Sequence, residues 1–202
     1  CCNNSPLPTK KTMKILLTGA TGYIGKRLLP VLIKDEHEII CWVRDKLRFS
    51  PPSSLKNKIT VIEIDLNDSE SLNKIPIDID VAYYLVHSMS GSSDYDVLEK
   101  KCSINFREAL NKTNVAQVIY LSGIINENEL SKHLSSRKTV ELELDKGKYS
   151  LTTFRAGIIV GSGSASFEII RDLVEKLPMM ITPKWLLTKC QPIGITDVIN
   201  IL

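Results

Sequence analysis

The sequence has few of the residues that build metal sites or disulfide frameworks. It contains three histidines and five cysteines, with no Cys-x-x-Cys pair and no cysteine–histidine cluster at zinc-ligand spacing. We therefore predict no bound metal. Cys41 and Cys102 are interpreted as small core residues of a reduced, cytoplasmic protein.

A strong charge bias and long apolar runs are also missing. The 26 basic and 23 acidic side chains leave a net charge of +3, which is too small to indicate a nucleic-acid partner. No apolar run approaches the roughly 18–20 residues that span a bilayer. With 43% hydrophobic and 24% charged residues, the composition is typical of a globular domain without a membrane span.

The two ends of the chain differ from its middle. Residues 1–12 are polar, contain two prolines and lack the apolar stretch of a signal peptide. They are interpreted as a flexible leader, an upstream extension or an added sequence, with a lipidated N-terminal cysteine as the alternative. Residues 13–202 are predicted to form one domain. Thr196 to Leu202 look like the start of a helix that simply stops, which suggests a longer parent chain with a C-terminal substrate lobe or further domain.

Short β-type runs alternate with helical segments along most of the chain. This alternation predicts an α/β Rossmann fold, a doubly wound parallel sheet with helices on both faces. The predicted strands are 14–18, 38–43, 59–64, 81–86, 117–121 and a sixth formed by 151–155 with 158–160. The predicted helices are 23–34, a short one after Asp68, 95–111, 129–146 and 167–176, and 48–54 is predicted to be a linker.

A glycine-rich turn follows the first predicted strand and opens the first predicted helix. It reads Thr18-Gly-Ala-Thr-Gly-Tyr-Ile-Gly25. In such turns the first glycine (Gly19) permits the tight turn, Gly22 allows close approach of a pyrophosphate, and Gly25 lets the helix pack on the strand. Because the helix start also offers free N–H groups, the sequence predicts dinucleotide binding.

The residues after the second strand bear on the choice of dinucleotide. An NAD-binding protein usually has Asp or Glu there to accept from the ribose hydroxyls, whereas this chain has Arg44 followed by Asp45. Arg44, with Lys46 or Arg48 behind it, can pair with a 2′-phosphate. We expect NADP(H) to be preferred and NAD(H) to remain possible.

Several motifs resemble the extended and atypical short-chain dehydrogenase/reductases. They are the glycine turn, Asp65-Leu66 after strand three, Asn105 in the long helix, and Arg155-Ala-Gly-Ile-Ile-Val-Gly161. The stretches Tyr84-Leu-Val-His-Ser-Met89 and His133-Leu-Ser-Ser-Arg137 are similar to an NmrA-like subgroup described as nucleoside-diphosphate-sugar epimerase-like. This resemblance implies a Rossmann fold, a bound dinucleotide and an unknown small-molecule substrate, and it allows for a homo-oligomer.

The catalytic positions depart from that superfamily. Its Tyr-x-x-x-Lys pair is replaced by His133-x-x-x-Arg137, and its serine position falls on Gly123, with Ser122 one residue earlier. His133 is a candidate acid or base because imidazole exchanges protons near neutral pH. Arg137 is a candidate for holding the ribose, and His87 is expected beside the nicotinamide ribose.

The resulting candidate sites can be stated together. Candidate catalytic residues are His133, Arg137, Ser122 and His87. Candidate cofactor-binding residues are Gly19, Thr21, Gly22, Tyr23, Ile24, Gly25, Arg44, Asp65, Leu66, Val86, His87, Ser122, Arg137, Ala156 and Gly157. The 161–166 loop is interpreted as a substrate-side loop or as a second anion site at a helix start.

Three functions fit these features. The first is an NADP(H)-dependent oxidoreductase or epimerase-like enzyme for a small carbonyl or hydroxyl compound. The second is a cofactor-binding redox sensor without turnover, and the third is a structural subunit that holds NADPH.

Overall fold

The main sheet is parallel and has six strands. The computed structural model describes residues 12–51, 53–87, 95–124, 132–176 and 190–202. The strands are β1 (Lys14–Thr18), β2 (Glu38–Val43), β3 (Ile59–Glu63), β4 (Val81–Tyr84), β5 (Gln117–Gly123) and β6 (Ser150–Ala156). Their spatial order is β3-β2-β1-β4-β5-β6. The strand order reverses between β1 and β4, and this switch point is where open α/β sheets bind ligands.

Helices and a small second sheet surround the main sheet. The helices are α1 (Tyr23–Lys34), α2 (Tyr95–Leu110), α3 (Lys132–Leu144), α4 (Ala165–Lys176) and α5 (Ile195–Ile201). Two short parallel strands, β7 (Ile159–Val160) and β8 (Ile193–Gly194), pair with each other. Within the described ranges, no helix is long and apolar enough to cross a membrane.

Both faces of the sheet are covered by apolar side chains. Because strand residues alternate in direction, Leu16 of β1 joins one core cluster and its neighbours Ile15 and Leu17 join the other. Phe106 of α2 is fully buried in the first cluster, where its ring lies 4.8 Å from that of Tyr84. Packing on both faces therefore fixes the strands whose carboxyl ends form the edge of the sheet.

The predicted fold class is confirmed. β1, β2 and α1 begin and end at the predicted residues, and a helix also forms at the C-terminal end, as α5. Cys41 and Cys102 are buried free thiols, as expected for core residues. The leader assignment concerns residues 1–12, of which 1–11 lie outside the described residues, so it stays a prediction.

Three local predictions were wrong in detail. The expected sixth strand is divided into β6 and β7, because the chain leaves the main sheet at Gly157 to pair with β8. The segment predicted as a linker contributes to 3-10 helices at Lys46–Arg48 and Ser53–Lys58. β4 ends at Tyr84 rather than at residue 86, so the side chains after it are freed to turn toward the sheet edge.

Candidate functional site

The glycine turn has the geometry that close approach of a phosphate requires. Gly19 has a φ of +71°, and a Cβ there would lie 2.6 Å from the carbonyl oxygen of Leu85. A Cβ on Gly25 would overlap the carbonyl oxygen of Gly19. Gly22 is exposed at the N-cap of α1, and no described side chain caps that helix. The first N–H groups of α1 are therefore open to an anion.

A cleft of about 1280 Å³ lies along the carboxyl edge of the sheet. It begins at the glycine turn, passes the ends of the main-sheet strands and reaches α3. The residues given above as candidate catalytic and cofactor-binding residues all line it: Gly19, Thr21, Gly22, Tyr23, Ile24, Gly25, Arg44, Asp65, Leu66, Val86, His87, Ser122, His133, Arg137, Ala156 and Gly157. The fold thus brings residues that lie more than a hundred positions apart in the sequence to one surface.

At one end of the cleft lies the arginine that follows β2. Arg44 is exposed and forms no ion pair with a carboxylate in the described part of the chain. Asp45 is engaged elsewhere, because its carboxylate accepts from Leu47 N at 2.8 Å and pairs with Arg48 at 3.4 Å. Lys46 and Arg48 are not among the lining residues. The cleft therefore has an unpaired guanidinium at the position where NAD-binding proteins usually place an acid.

The adjoining wall is built by the segment after β3. Asp65 accepts from Asn67 N at 2.9 Å, and Asn105 of α2 donates to the carbonyl of Leu66 at 2.6 Å. The long-helix asparagine therefore fixes the Asp65-Leu66 segment against the helix. Both ends of this short segment are hydrogen-bonded, which positions its side chains at the cleft.

Near the opposite end, His87 and Arg137 form a direct contact. Arg137 Nη1 donates to His87 Nε2 at 2.8 Å and to the carbonyl of Leu121 at 3.3 Å. Because a guanidinium has no lone pair to offer, His87 Nε2 must be the acceptor and Nδ1 carries the ring proton. Burial, together with the charges of Arg137 and His133, lowers the pKa of His87 to about 3. His87 is thus neutral at physiological pH and unsuited to act as a general base.

Two polar atoms beside this contact are enclosed and lack partners. They are Ser122 Oγ, on a side chain that is 3% exposed, and Arg137 Nε. Neither makes a hydrogen bond to a described residue. Leaving such atoms unpaired costs about 1–3 kcal/mol each, and deviations of this kind are typical of functional sites.

His133 occupies a different environment from His87. It is exposed at the start of α3, and its ring centroid lies 6.4 Å from that of Tyr95. It lines the cleft on the same side as Arg137, one helical turn earlier. The structure therefore brings the two candidate histidines to one end of the cleft in different roles, one enclosed and one open.

The segment after β6 also lines the cleft. Ala156 ends β6, and a Cβ on Gly157 would overlap the carbonyl oxygen of Gln191. In the following loop, Gly163 N donates to Glu168 at 3.0 Å. The carboxylate of Glu168 in the first turn of α4 is thus turned back toward this loop, and the substrate-side and anion-site interpretations of the loop both stay predictions.

Several residues of the cleft were not predicted from the sequence. Trp42, Asn67 and Cys102 also line it, and Cys102 Sγ donates to Asn67 at 3.4 Å. Burial raises the pKa of the Cys102 thiol to about 11, so this thiol is not a nucleophile at neutral pH. Asn67 directly follows the Asp65-Leu66 pair and could have been found, whereas the placement of Cys102 depends on how α2 packs.

The sequence is similar to those of a known protein family and of two individual proteins. The model of the NAD dependent epimerase/dehydratase family matches residues 15–127, which is more than half of the chain. An isoflavone reductase homolog of Arabidopsis thaliana is 38% identical over 89 residues, covering 41% of this chain and 28% of that protein. An uncharacterised protein of Saccharomyces cerevisiae is 26% identical over 116 residues, covering 56% of this chain and 39% of its own length. The chain thus spans well under half the length of these relatives.

Solved structures show the same fold. The Bordetella bronchiseptica enzyme WbmG in complex with NAD and UDP superposes with a TM-score of 0.74 at 16% identity, covering 95% of this chain and 67% of that one. UDP-glucose 4-epimerase of Thermotoga maritima gives a TM-score of 0.72 at 17% identity, covering 93% of this chain and 71% of that one. The chain belongs to the NAD dependent epimerase/dehydratase family, and this membership implies an NAD(P) cofactor.

Proposed function

We propose that this chain is the cofactor-binding part of an NADP(H)-dependent oxidoreductase or epimerase-like enzyme that acts on a small carbonyl or hydroxyl compound. The main support is that one cleft holds the open glycine turn, the unpaired Arg44 and two candidate histidines. Family membership supports the dinucleotide, and the residues after β2 support NADP over NAD.

The residues of the cleft fit such a cofactor from end to end. The N–H groups at Gly19–Gly25 would hold the pyrophosphate, and Arg44 would pair with the 2′-phosphate. Asp65 and Leu66 would contact the adenine, while Val86, Ala156 and Gly157 would enclose the nicotinamide side. When bound, the cofactor supplies hydride transfer, and the protein contributes orientation and electrostatics.

The proton that accompanies hydride transfer is assigned to His133. It occupies the position of the superfamily tyrosine, lines the cleft and is exposed, so it can exchange protons with solvent between turnovers. His87 is unsuited to this role because burial lowers its pKa to about 3. Arg137 would act by holding ligand oxygens and by orienting His87.

A redox sensor or structural subunit that binds NADP(H) without turnover is the second candidate. The observation that favours it is the replacement of the Tyr/Lys pair by His133 and Arg137. Because position 133 is a histidine, Arg137 has no tyrosine at the superfamily's catalytic position whose pKa it could lower. In a sensor, the same cleft would bind the dinucleotide and report its redox state to a partner.

Cofactor selectivity is tested by titrating the purified protein with NADPH and NADH and following nicotinamide fluorescence. We expect tight, NADPH-selective binding. Arg44→Ala should weaken NADPH binding roughly 10- to 100-fold, because a charge-assisted hydrogen bond contributes about 1.5–3 kcal/mol, and should leave NADH binding unchanged. Arg48→Ala is the matched control, since Arg48 pairs with Asp45 away from the cleft. Equal affinity for both nucleotides would overturn the NADP assignment.

Catalysis is tested by following NADPH oxidation with a panel of small carbonyl compounds. An enzyme should turn over at least one of them, and His133→Gln should abolish turnover while NADPH affinity stays within about threefold. The sensor would be favoured if the protein binds NADPH selectively, turns over none of the compounds, and captures a partner only with the reduced or only with the oxidised cofactor bound.

A further inference from the structure

Arg137 has no acidic partner among the residues that the structure describes. Its two hydrogen-bond acceptors, His87 Nε2 and the carbonyl of Leu121, are both uncharged. No carboxylate of the described chain forms an ion pair with it. The nearby buried carboxylate of Glu99 accepts from Ser136 Oγ instead. A half-buried cation without a counterion is costly, and a negatively charged ligand would remove that cost.

The groups left free around Arg137 are donors. Its Nη2 makes no hydrogen bond to a described residue and, unlike Nε, is not enclosed. His87 Nδ1 carries the ring proton and likewise makes no hydrogen bond within the described ranges. A ligand group at this position must therefore offer acceptor oxygens. A carboxylate matches best, because it offers two oxygens and a negative charge to a guanidinium.

We propose that Arg137 and His87 bind a carboxylate of the substrate, so that the compound turned over is a small 2-oxo or hydroxy acid. This inference rests on the proposed function, because it names the substrate class for the same cleft. His133 lines the same cleft one helical turn before Arg137, so it would lie near a substrate whose carboxylate is held by Arg137. The ribose hydroxyls of the cofactor are the other source of acceptor oxygens, but they bring no negative charge.

The test compares pyruvate with pyruvamide, which has the same carbon skeleton without the charge. Calorimetric titrations are run on the purified protein with and without saturating NADP⁺. We expect pyruvate to bind at least tenfold more tightly than pyruvamide. Arg137→Gln should abolish this preference, whereas Arg155→Gln should retain it, because Arg155 pairs with Glu141 and is not a lining residue.

The outcomes separate the two proposals. One outcome is that the parent protein prefers pyruvate to pyruvamide, loses this preference in Arg137→Gln, and binds neither NADPH nor NADH. That outcome would support the carboxylate site and overturn the NADP(H)-dependent function. Nucleotide binding with equal affinity for pyruvate and pyruvamide would overturn the carboxylate site alone. Loss of NADPH affinity in Arg137→Gln, with no acid preference in the parent protein, would assign Arg137 to the ribose. Circular dichroism and a Tm equal to those of the parent protein show that the variant is folded in every case.

Discussion

His87 is neutral in the folded protein and becomes protonated only near pH 3, because it is enclosed beside Arg137. In the unfolded chain a histidine takes up its proton near pH 6.5. Between these two values the unfolded state binds more protons, so the free energy of unfolding decreases as the pH falls below about 6.5. Above that pH, His87 is uncharged in both states and has no effect.

His87→Gln should therefore reduce the sensitivity of stability to acid. Glutamine keeps an uncharged acceptor for Arg137 and has no proton to take up. Between pH 7 and pH 5, the parent protein should lose about 2 kcal/mol more unfolding free energy than the variant. Urea unfolding at pH 5, 7 and 8 measures this, and the two proteins should respond alike between pH 7 and 8. An equal loss in both proteins at pH 5 would contradict the assignment.

Some residues of this site could be predicted from the sequence, and others could not. The glycine turn and Arg44 were found because their roles depend on position relative to an adjacent strand, which is a local pattern. The contact between His87 and Arg137 joins residues 50 positions apart, and it depends on how α3 packs against the end of β5. The pairing of Asp45 with Arg48 depends on a 3-10 turn that no local pattern had indicated.

The start of α1 combines two roles that substitutions can separate. A Cβ on Gly25 would overlap the backbone of Gly19, with no flexible side chain to move aside. A Cβ on Gly22 would have only the Gly19 oxygen nearby, at 3.2 Å, and would otherwise extend into open space at the cleft. Gly25 is thus required by packing, and Gly22 by access to the helix start.

Gly25→Ala should lower the free energy of unfolding by roughly 1–3 kcal/mol, as overpacking does in other cores. Gly22→Ala should cost less than about 1 kcal/mol, because its φ of −79° suits any residue, yet it should weaken NADPH binding at least tenfold. Chemical unfolding and fluorescence titration of both variants measure the two effects. If Gly22→Ala retained full NADPH affinity, the phosphates would not lie against this turn.

The elements themselves were predictable to different degrees. Strands buried on both faces, such as β1 and β2, consist of continuous apolar runs bounded by polar residues, and their ends were found correctly. The division between β6 and β7 was missed because both segments are β-type in sequence. Only the pairing of β7 with β8, which is more than thirty residues further along, reveals the second sheet.

At the scale of the whole molecule, the groups proposed to hold the dinucleotide all lie in this chain. They come from β1 through β6 and from the segments that follow these strands, and they share one cleft. The chain covers only 28% and 39% of two relatives in length, yet none of the proposed cofactor contacts depends on a region beyond it. Cofactor binding should therefore be a property of these 202 residues alone.

NADPH should consequently stabilise the isolated chain. A ligand present at 100 times its dissociation constant adds about 2.7 kcal/mol to the free energy of unfolding. For a domain of this size, that corresponds to a rise in Tm of roughly 5–10 °C. At the same NADPH concentration, Arg44→Ala should lose about 1.3 kcal/mol of this stabilisation, if affinity falls tenfold. Thermal unfolding with NADPH and with NADH tests the expectation, and the shift with NADH should be equal in both proteins. An unchanged Tm of the parent protein with saturating NADPH would mean that this chain alone does not form the site, even though its cleft holds the residues proposed for it.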